Sequence, residues 1–185
     1  MSEVRVKATP ANGLATYIQR TLSPEQLARL VPQLEGEALR VLEGRLLAND
    51  TVAVETLNRL TDLAAREAQQ PAFEFGRAAG RFGAELGTRT VYKFILALLS
   101  PQSTLRTASA MWARVYSAGR LEVEVGDAWG RIHLRDFPVH DGMCGRITGW
   151  FEFIGEKARK GTRTVHATCR ARGDQECRWD FGWGP

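Results

Sequence analysis

The segment Arg120-Leu121-Glu122-Val123-Glu124-Val125-Gly126-Asp127 decides the fold class. Leu121, Val123 and Val125 alternate with Glu122 and Glu124, the period of two of a strand with one covered face. Gly126-Asp127 is a turn signal, and Trp129, Ile132 and Leu134 supply a partner strand with an irregular start. Pro138 to Met143 then reads as a loop, and Ile147, Trp150, Phe151 and Ile154 recur at helical spacing up to Gly161. Thr162 to Arg170 reads as a strand and Ala171-Arg172-Gly173-Asp174 as a turn. Glu176 to Trp183 is a last strand with Cys177, Trp179 and Phe181 on one face. Hairpins require antiparallel pairing, which excludes a parallel α/β fold.

Upstream the pattern is helical. Ser23-Pro24-Glu25 places a capping hydroxyl, a first-turn proline and an acid at a helix start, followed by Leu27, Leu30, Val31 and Leu34. Asp50 or Thr51 is the expected cap of a helix whose Val54, Leu57, Leu60, Leu63 and Ala64 form one apolar face. Pro71 opens a helix with Phe75, Ala78, Ala79, Phe82 and Leu86. Thr88–Leu99 is a further apolar helix, and Ser100-Pro101-Gln102 starts another that runs to Ser117, with Gly119 as its stop. The expectation is an α+β domain in which about four to five helices pack on an antiparallel sheet of two hairpins. Residues 26–185 form this single domain, helical over 26–119 and hairpin-helix-hairpin over 120–185, after a tail and short helix over 1–25.

Composition narrows the function classes. At 185 residues and 44% hydrophobic content the chain has enough apolar material for one real core. Lys plus Arg is 25 against 21 acids, and the surplus is uneven: 17 against 16 over residues 1–143, 8 against 5 over 144–185. That is no basic stripe, so nucleic acid is not an expected partner. The longest uncharged stretch near an apolar run, Phe94 to Leu105, contains Ser100, Pro101 and Gln102, too short and broken for a membrane span. Met1 to Pro10 has no apolar core of a secretory signal, so a cytoplasmic location is expected. Three cysteines argue against a disulfide framework.

Enzyme templates are absent: no GxGxxG, no Walker loop, no GxSxG elbow, no HExxH. Cys144 with His140 has no specific nucleophile–base spacing, and Asp136 and Asp141 read as solvated loop acids. The expectation is a protein that is not an enzyme. One constellation stands out. His166 and Cys169 are three apart, Cys177 follows across the turn at Gly173-Asp174, and Cys144 begins the preceding helix. Three sulfurs and one nitrogen suit tetrahedral zinc in a closed site. On a regular strand His166 and Cys169 face opposite sides, so convergence requires a bulge or a strand end. Zinc and plain buried thiols both remain open on the residues alone.

The run Cys144-Gly-Arg-Ile-Thr-Gly-Trp-Phe, Gly161, His166-Ala-Thr-Cys169-Arg-Ala-Arg-Gly173-Asp174-Gln-Glu-Cys177-Arg-Trp-Asp-Phe181 resembles the end of the 4-vinyl reductase type of small-molecule-binding domain. That group is related in fold to TRAPP trafficking subunits and to haem-nitric-oxide-binding domains. From about Leu27 the chain also resembles a family of myxobacterial proteins, through Glu74-Phe-Gly-Arg77, Val91-Tyr-Lys-Phe94, Leu98-Leu-Ser-Pro101, Met111-Trp112 and Gly149-Trp150. The resemblance implies a TRAPP-like fold and a structural zinc on Cys144, Cys169 and Cys177. His166 stands where aromatic-responsive bacterial activators have a glutamate. It also implies no haem, because Tyr116-Ser117-Ala118-Gly119-Arg120 departs from the Tyr-x-Ser-x-Arg spacing of the haem relatives.

The expected function is therefore a non-enzymatic sensor or adaptor that binds a small apolar or aromatic ligand and signals through protein association. The alternative is a ligand-free dimerising scaffold or a module for a partner protein. Phe75, Phe82, Tyr92, Phe94, Trp112 and Tyr116 are either ordinary core or the lining of a ligand pocket between three helices. Gly76, Gly80 and Gly83 make a smooth stripe for close helix approach, expected at a homodimer interface. Lys157, Arg159, Lys160 and Arg163 cluster at a helix end, where cations complement the helix terminus.

Overall fold

The computed structural model describes residues 3–87 and 100–184. Strands β1 (Arg5–Lys7) and β2 (Thr51–Ala53) pair antiparallel and bracket helices α1 (Ala8–Thr21), α2 (Pro24–Leu30) and α3 (Gly36–Leu42). Helices α4 (Val54–Glu67), α5 (Ala72–Gly87) and α6 (Pro101–Val115) follow. Strands β3 (Arg120–Val125) and β4 (Trp129–Arg135), helix α7 (Asp141–Ala158), and strands β5 (Arg163–Thr168) and β6 (Cys177–Gly182) complete the described chain. The two hairpins merge into one antiparallel sheet of order β3-β4-β6-β5, joined where β4 pairs with β6. The α+β class is as expected, with seven α-helices among the described residues and a second small sheet. No helix among the described residues is long and apolar enough to cross a membrane.

Helix starts at Ser23 and Ser100 form as the sequence predicts. Ser23 Oγ accepts from the Gln26 backbone N–H at 3.3 Å, and Gln26 Oε1 accepts from the Ser23 N–H at 2.8 Å, with Pro24 at the first helical position. Ser100 Oγ accepts from the Ser103 N–H at 3.2 Å ahead of Pro101. The expected cap of α4 is corrected: Thr51 lies in β2, and α4 begins after Ala53.

Over 1–25, expected as a tail and a short helix, the helix is α1, and the residues ahead of it form β1 rather than a tail. Val6 is fully buried, paired with Val52 and bridged to Tyr116, and Ala11, Leu14 and Ile18 of α1 lie in the core. Glu37 fastens this corner. Its carboxylate accepts from the Ala53 N–H at 2.8 Å, the Thr56 hydroxyl at 2.9 Å and Arg5 Nη2 at 2.7 Å, joining β2, α4 and β1. Burial pushes the Glu37 carboxyl up, but these three donors outweigh it and hold it below its ordinary value.

The centre of the molecule is the contact of α5 with α7. A Cβ at Gly76 would collide with the Gly142 carbonyl, and one at Gly80 with the Arg146 carbonyl. From the other side, a Cβ at Gly145 would meet the Phe73 carbonyl and one at Gly149 the Arg77 carbonyl. The backbones therefore touch along two matched glycine rows. Two ion pairs flank the seam: Arg77 Nε reaches both Glu152 carboxylate oxygens at 2.9 and 3.0 Å, and Arg81 Nη2 reaches Glu156 at 2.6 Å. Gly76 and Gly80, expected at a homodimer interface, are used inside the chain; Gly83 lies against Gly13 of α1.

Gly80→Ala should lower stability by about 3 kcal/mol, because a methyl there has only backbone to displace. Its association state should match wild type, as light scattering beside a thermal melt would report. Glu37→Gln should cost about 1–3 kcal/mol at neutral pH. The Glu37 contribution is complete above the unfolded carboxyl value of about 4.3 and disappears as pH falls through the lower folded value. Melts of wild type and Glu37→Gln should therefore converge in acid, and a gap that persists there contradicts the assignment.

Candidate metal centre

The bulge that the residue pattern required lies in β5. Its pairing with β6 runs in register from Arg163 to His166 and slips between His166 and Thr168. Cys169 follows directly after the strand and opens the short 3₁₀ turn Arg170–Arg172, closed by Gly173 at φ 92°. Only glycine takes that conformation without strain. Asp174 Oδ2 accepts from the Cys169 N–H at 2.7 Å, and the Cys169 carbonyl accepts from Arg172 N at 2.9 Å and Asp174 N at 3.2 Å. Cys177 begins β6, and Cys144 sits in the first turns of α7.

These turns bring Cys144 Sγ, a His166 ring nitrogen, Cys169 Sγ and Cys177 Sγ within 4.8 Å of one another. The Cys144 and Cys169 sulfurs are 3.6 Å apart, and no cysteine is in a disulfide. Thiolates held at about 2.3 Å by a tetrahedral ion stand about 3.8 Å from one another, so the spacing suits a shared ion. The three cysteines are buried and His166 is partly so. Both His166 ring nitrogens are buried without a geometric hydrogen-bond partner, the state of an imidazole whose partner is a ligand.

The supporting shell is well defined. The His166 ring lies parallel to Trp179 at 4.4 Å on one side and to Phe73 at 5.9 Å on the other. Trp179 is fully buried; its Nε1–H donates to Thr148 Oγ1 at 2.8 Å, and Thr148 in turn donates to the Cys144 carbonyl at 2.7 Å. The Arg170 backbone N–H points at Cys177 Sγ from 3.4 Å. A hydrogen bond from Cys144 holds the Cys177 thiol well below the ordinary thiol range, helped by His166 and Arg170. That same bond and burial push Cys144 up, and burial pushes Cys169 up. A cation bound by all three sulfurs would take them as thiolates and release their protons.

His140 does not act with Cys144: its Nε2 bonds to Asp62 Oδ2 at 2.9 Å, tying the start of α7 to α4. The supporting roles of Phe73, Thr148, Trp179 and Asp174 are not apparent from sequence spacing. Asp174 alone carries a hint, as a turn residue beside Gly173.

Of the six aromatic residues expected around one pocket, the four described fall in two separate groups. Phe75 and Phe82 pack on Tyr17, at 5.2 and 5.7 Å. Trp112 and Tyr116 stack on each other at 4.2 Å and meet Phe137 at 5.0 and 5.4 Å. Tyr92 and Phe94 lie outside the described residues.

Neither a family model nor a curated protein matches the sequence. Solved structures do match in fold. An H-NOX protein from S. oneidensis in the Fe(II)NO state superposes with a TM-score of 0.74 at 12% identity, over 97% of this chain and 99% of that one. An unliganded Fe(II) H-NOX protein from K. algicida gives 0.72 at 10% identity, over 97% of both chains. An oxygen-binding H-NOX domain related to soluble guanylate cyclases gives 0.70 at 10% identity, over 97% of this chain and 95% of that one. The fold is therefore that of H-NOX proteins, and the 4-vinyl reductase-like and TRAPP-like assignment is corrected. The superposition includes the N-terminal residues which that resemblance left out, and the cysteine hairpin alone does not separate related folds. The exclusion of haem is corrected with it, because structures in Fe(II) states share this fold and the spacing after Tyr116 is no ground for setting haem aside. The expectation of a small apolar ligand is corrected as well: two of the named structures carry NO or oxygen, and the described aromatic residues form separate clusters.

Proposed function

We propose that this chain is a non-enzymatic signalling module on the H-NOX fold. It responds to a ligand and passes the response on through association, with a second copy or with a partner protein. One zinc ion on Cys144, His166, Cys169 and Cys177 serves as a fixed structural tie. The observation that carries the reading is the superposition on ligand-carrying H-NOX structures over 97% of the chain. The donor set adds to it: the one group of three or more metal-type donors among the described residues is a closed, four-membered cluster. Four protein ligands leave no open position for water, so the ion stabilises and does not catalyse.

The Fe(II) states of the neighbours raise haem for this chain. Its three histidines are engaged elsewhere: His133 with Glu176 at 3.0 Å, His140 with Asp62, and His166 in the thiol cluster. The second ring nitrogens of His133 and His140 carry no hydrogen bond, so these bonds do not by themselves set an axial imidazole aside. Helix α7 is the element that links the parts. It carries Cys144 toward the sheet, Gly145 and Gly149 against α5, and His140 at its start against α4.

A nitric oxide donor should change the association state of the purified chain in light scattering, either as purified or after incubation with haemin. A mass that stays constant in both preparations overturns the sensor reading and leaves the ligand-free scaffold. Metal analysis of protein purified without chelator should return one zinc per chain. Cys177→Ser should lose the ion and more than about 4 kcal/mol of stability. Because the ligands bind deprotonated, the ion should leave as pH falls. Zinc near zero, with three titratable thiols and a melt unchanged by EDTA, would return these residues to the plain core.

A further inference from the structure

Residues 157–173 carry six cations, Lys157, Arg159, Lys160, Arg163, Arg170 and Arg172, and no Asp or Glu. All six are exposed. Their contacts among the described residues include no carboxylate: Arg172 Nη2 donates to the His166 carbonyl at 3.3 Å, Arg170 Nη1 to the Phe137 carbonyl at 3.4 Å, and Lys157 Nζ stands 5.2 Å over the Phe153 ring. Arginines elsewhere on the surface are paired, Arg77 with Glu152 and Arg131 with Asp180 among them. The acids at the two borders of the run are already engaged, Glu156 with Arg81 and Asp174 with the Cys169 N–H. Complementing the end of α7 accounts for Lys157 and Arg159. It does not account for Arg163, Arg170 and Arg172, which lie in β5 and the turn after it.

The run coincides with an edge of the large sheet. In the order β3-β4-β6-β5, strand β5 pairs with β6 on one side and with no described strand on the other. A terminal strand leaves alternate backbone N–H and C=O groups outside any ladder, a template for one more strand. Within β5, Thr164 turns toward Gly155 of α7 and His166 toward Trp179. Arg163 and Val165 alternate with them and face outward, Val165 being 39% exposed. The open edge therefore presents a cation and an apolar side chain at period two, with further cations beyond both of its ends.

We propose that the β5 edge is the docking site for an acidic, extended segment of a partner protein, which adds to the sheet as a fifth strand. Main-chain hydrogen bonds hold the segment. An acid opposite Arg163 and an apolar residue opposite Val165 set its register, and flanking acids meet the cations beyond the strand ends. Like charge keeps two copies of this edge apart. The other edge strand, β3, carries Glu122 and Glu124, but Arg120, Arg131 and Arg135 already hold them, so a second copy brings no spare carboxylate there. One row of cations along a strand, beside an exposed valine, is also not the broad basic face that nucleic acid requires. The proposal gives the association reading its surface and rests on that reading.

The test titrates a fluorescein-labelled octapeptide of alternating glutamate and valine with the full chain and follows anisotropy. Binding should saturate, and amide exchange should slow within residues 163–168. The same peptide methylated at every amide nitrogen keeps its charge but cannot donate to a ladder, so it should bind at least about tenfold more weakly. Lys160→Glu combined with Arg163→Glu changes two exposed side chains; it should weaken the unmethylated peptide by about tenfold or more and leave the melt unchanged. If that double variant fails to fold, Val165→Glu sets a charge against the added strand and should weaken binding to a similar extent. The proposal is overturned if the peptide does not bind up to about 1 mM, if the methylated peptide binds equally, or if the slowed amides lie elsewhere. It is overturned too if a single-stranded oligonucleotide or phosphatidylserine vesicles bind this edge more tightly than the peptide does. A peptide that fails to bind while nitric oxide still changes the association state sinks this proposal alone, and a bound peptide with a constant mass sinks only the sensor reading.

Discussion

The direct contact of the α5 and α7 backbones is the constraint on which the rest of the structure depends. Helix α7 is buried almost all round, with residues 142–149 covered without interruption. A helix so placed cannot be held by one apolar stripe; it needs a fitted surface on every side. Glycine at 76 and 80 on α5, and at 145 and 149 on α7, lets the two rods approach until carbonyls limit them, while Gly142 leaves room for Thr61 of α4. Close approach also brings Cα–H groups within reach of facing carbonyls, which adds weak polar attraction to dispersion.

With α7 fixed, its other faces become reference points. Cys144 is presented to the Cys169–Cys177 turn, Thr148 to the Trp179 indole, Arg146 to Tyr116 and His140 to Asp62. The thiol–imidazole cluster is thus no loose appendage of the last hairpin. It joins the central helix to the sheet, and Phe73 stacked on His166 joins α5 to the same point. Polar groups at this junction are costly unless satisfied, and both His166 ring nitrogens and Arg146 Nη1 are buried there without a hydrogen-bond partner.

Much of this was legible in the residues. The alternation at Leu121–Val125 and the caps at Ser23 and Ser100 are local signals, and local signals survive without an alignment. β1 was not legible because three residues carry no period, and its partners are Val52 and Tyr116, far along the chain. The β4–β6 pairing was hidden for the same reason: register between hairpins is set by packing on α7, not by either turn. The four ligand-type residues were legible by chemistry, whereas the bulge that turns His166 toward Cys169 is a tertiary adjustment. The glycine row on α5 announced a close approach but not its partner. The answering glycines, Gly145 and Gly149, were present in the sequence four apart, but only their contacts with Phe73 and Arg77 make the seam an internal one.

The clasp between the chain's beginning and its middle bears on how the protein comes to fold. The Ser117 backbone N–H donates to the Arg5 carbonyl at 2.9 Å, and Ser117 Oγ accepts from the Arg5 N–H at 2.8 Å. On an elongating polypeptide these partners are 112 residues apart, so Val6 and the apolar face of α1 have no complete cover until synthesis has passed residue 117. The entropy of closing so long a loop grows only logarithmically, but non-local pairing slows the search for it. The corner formed by β1 and α1 is therefore closed only once α6 and the residues after it have been made, and α7 and the last hairpin follow later still.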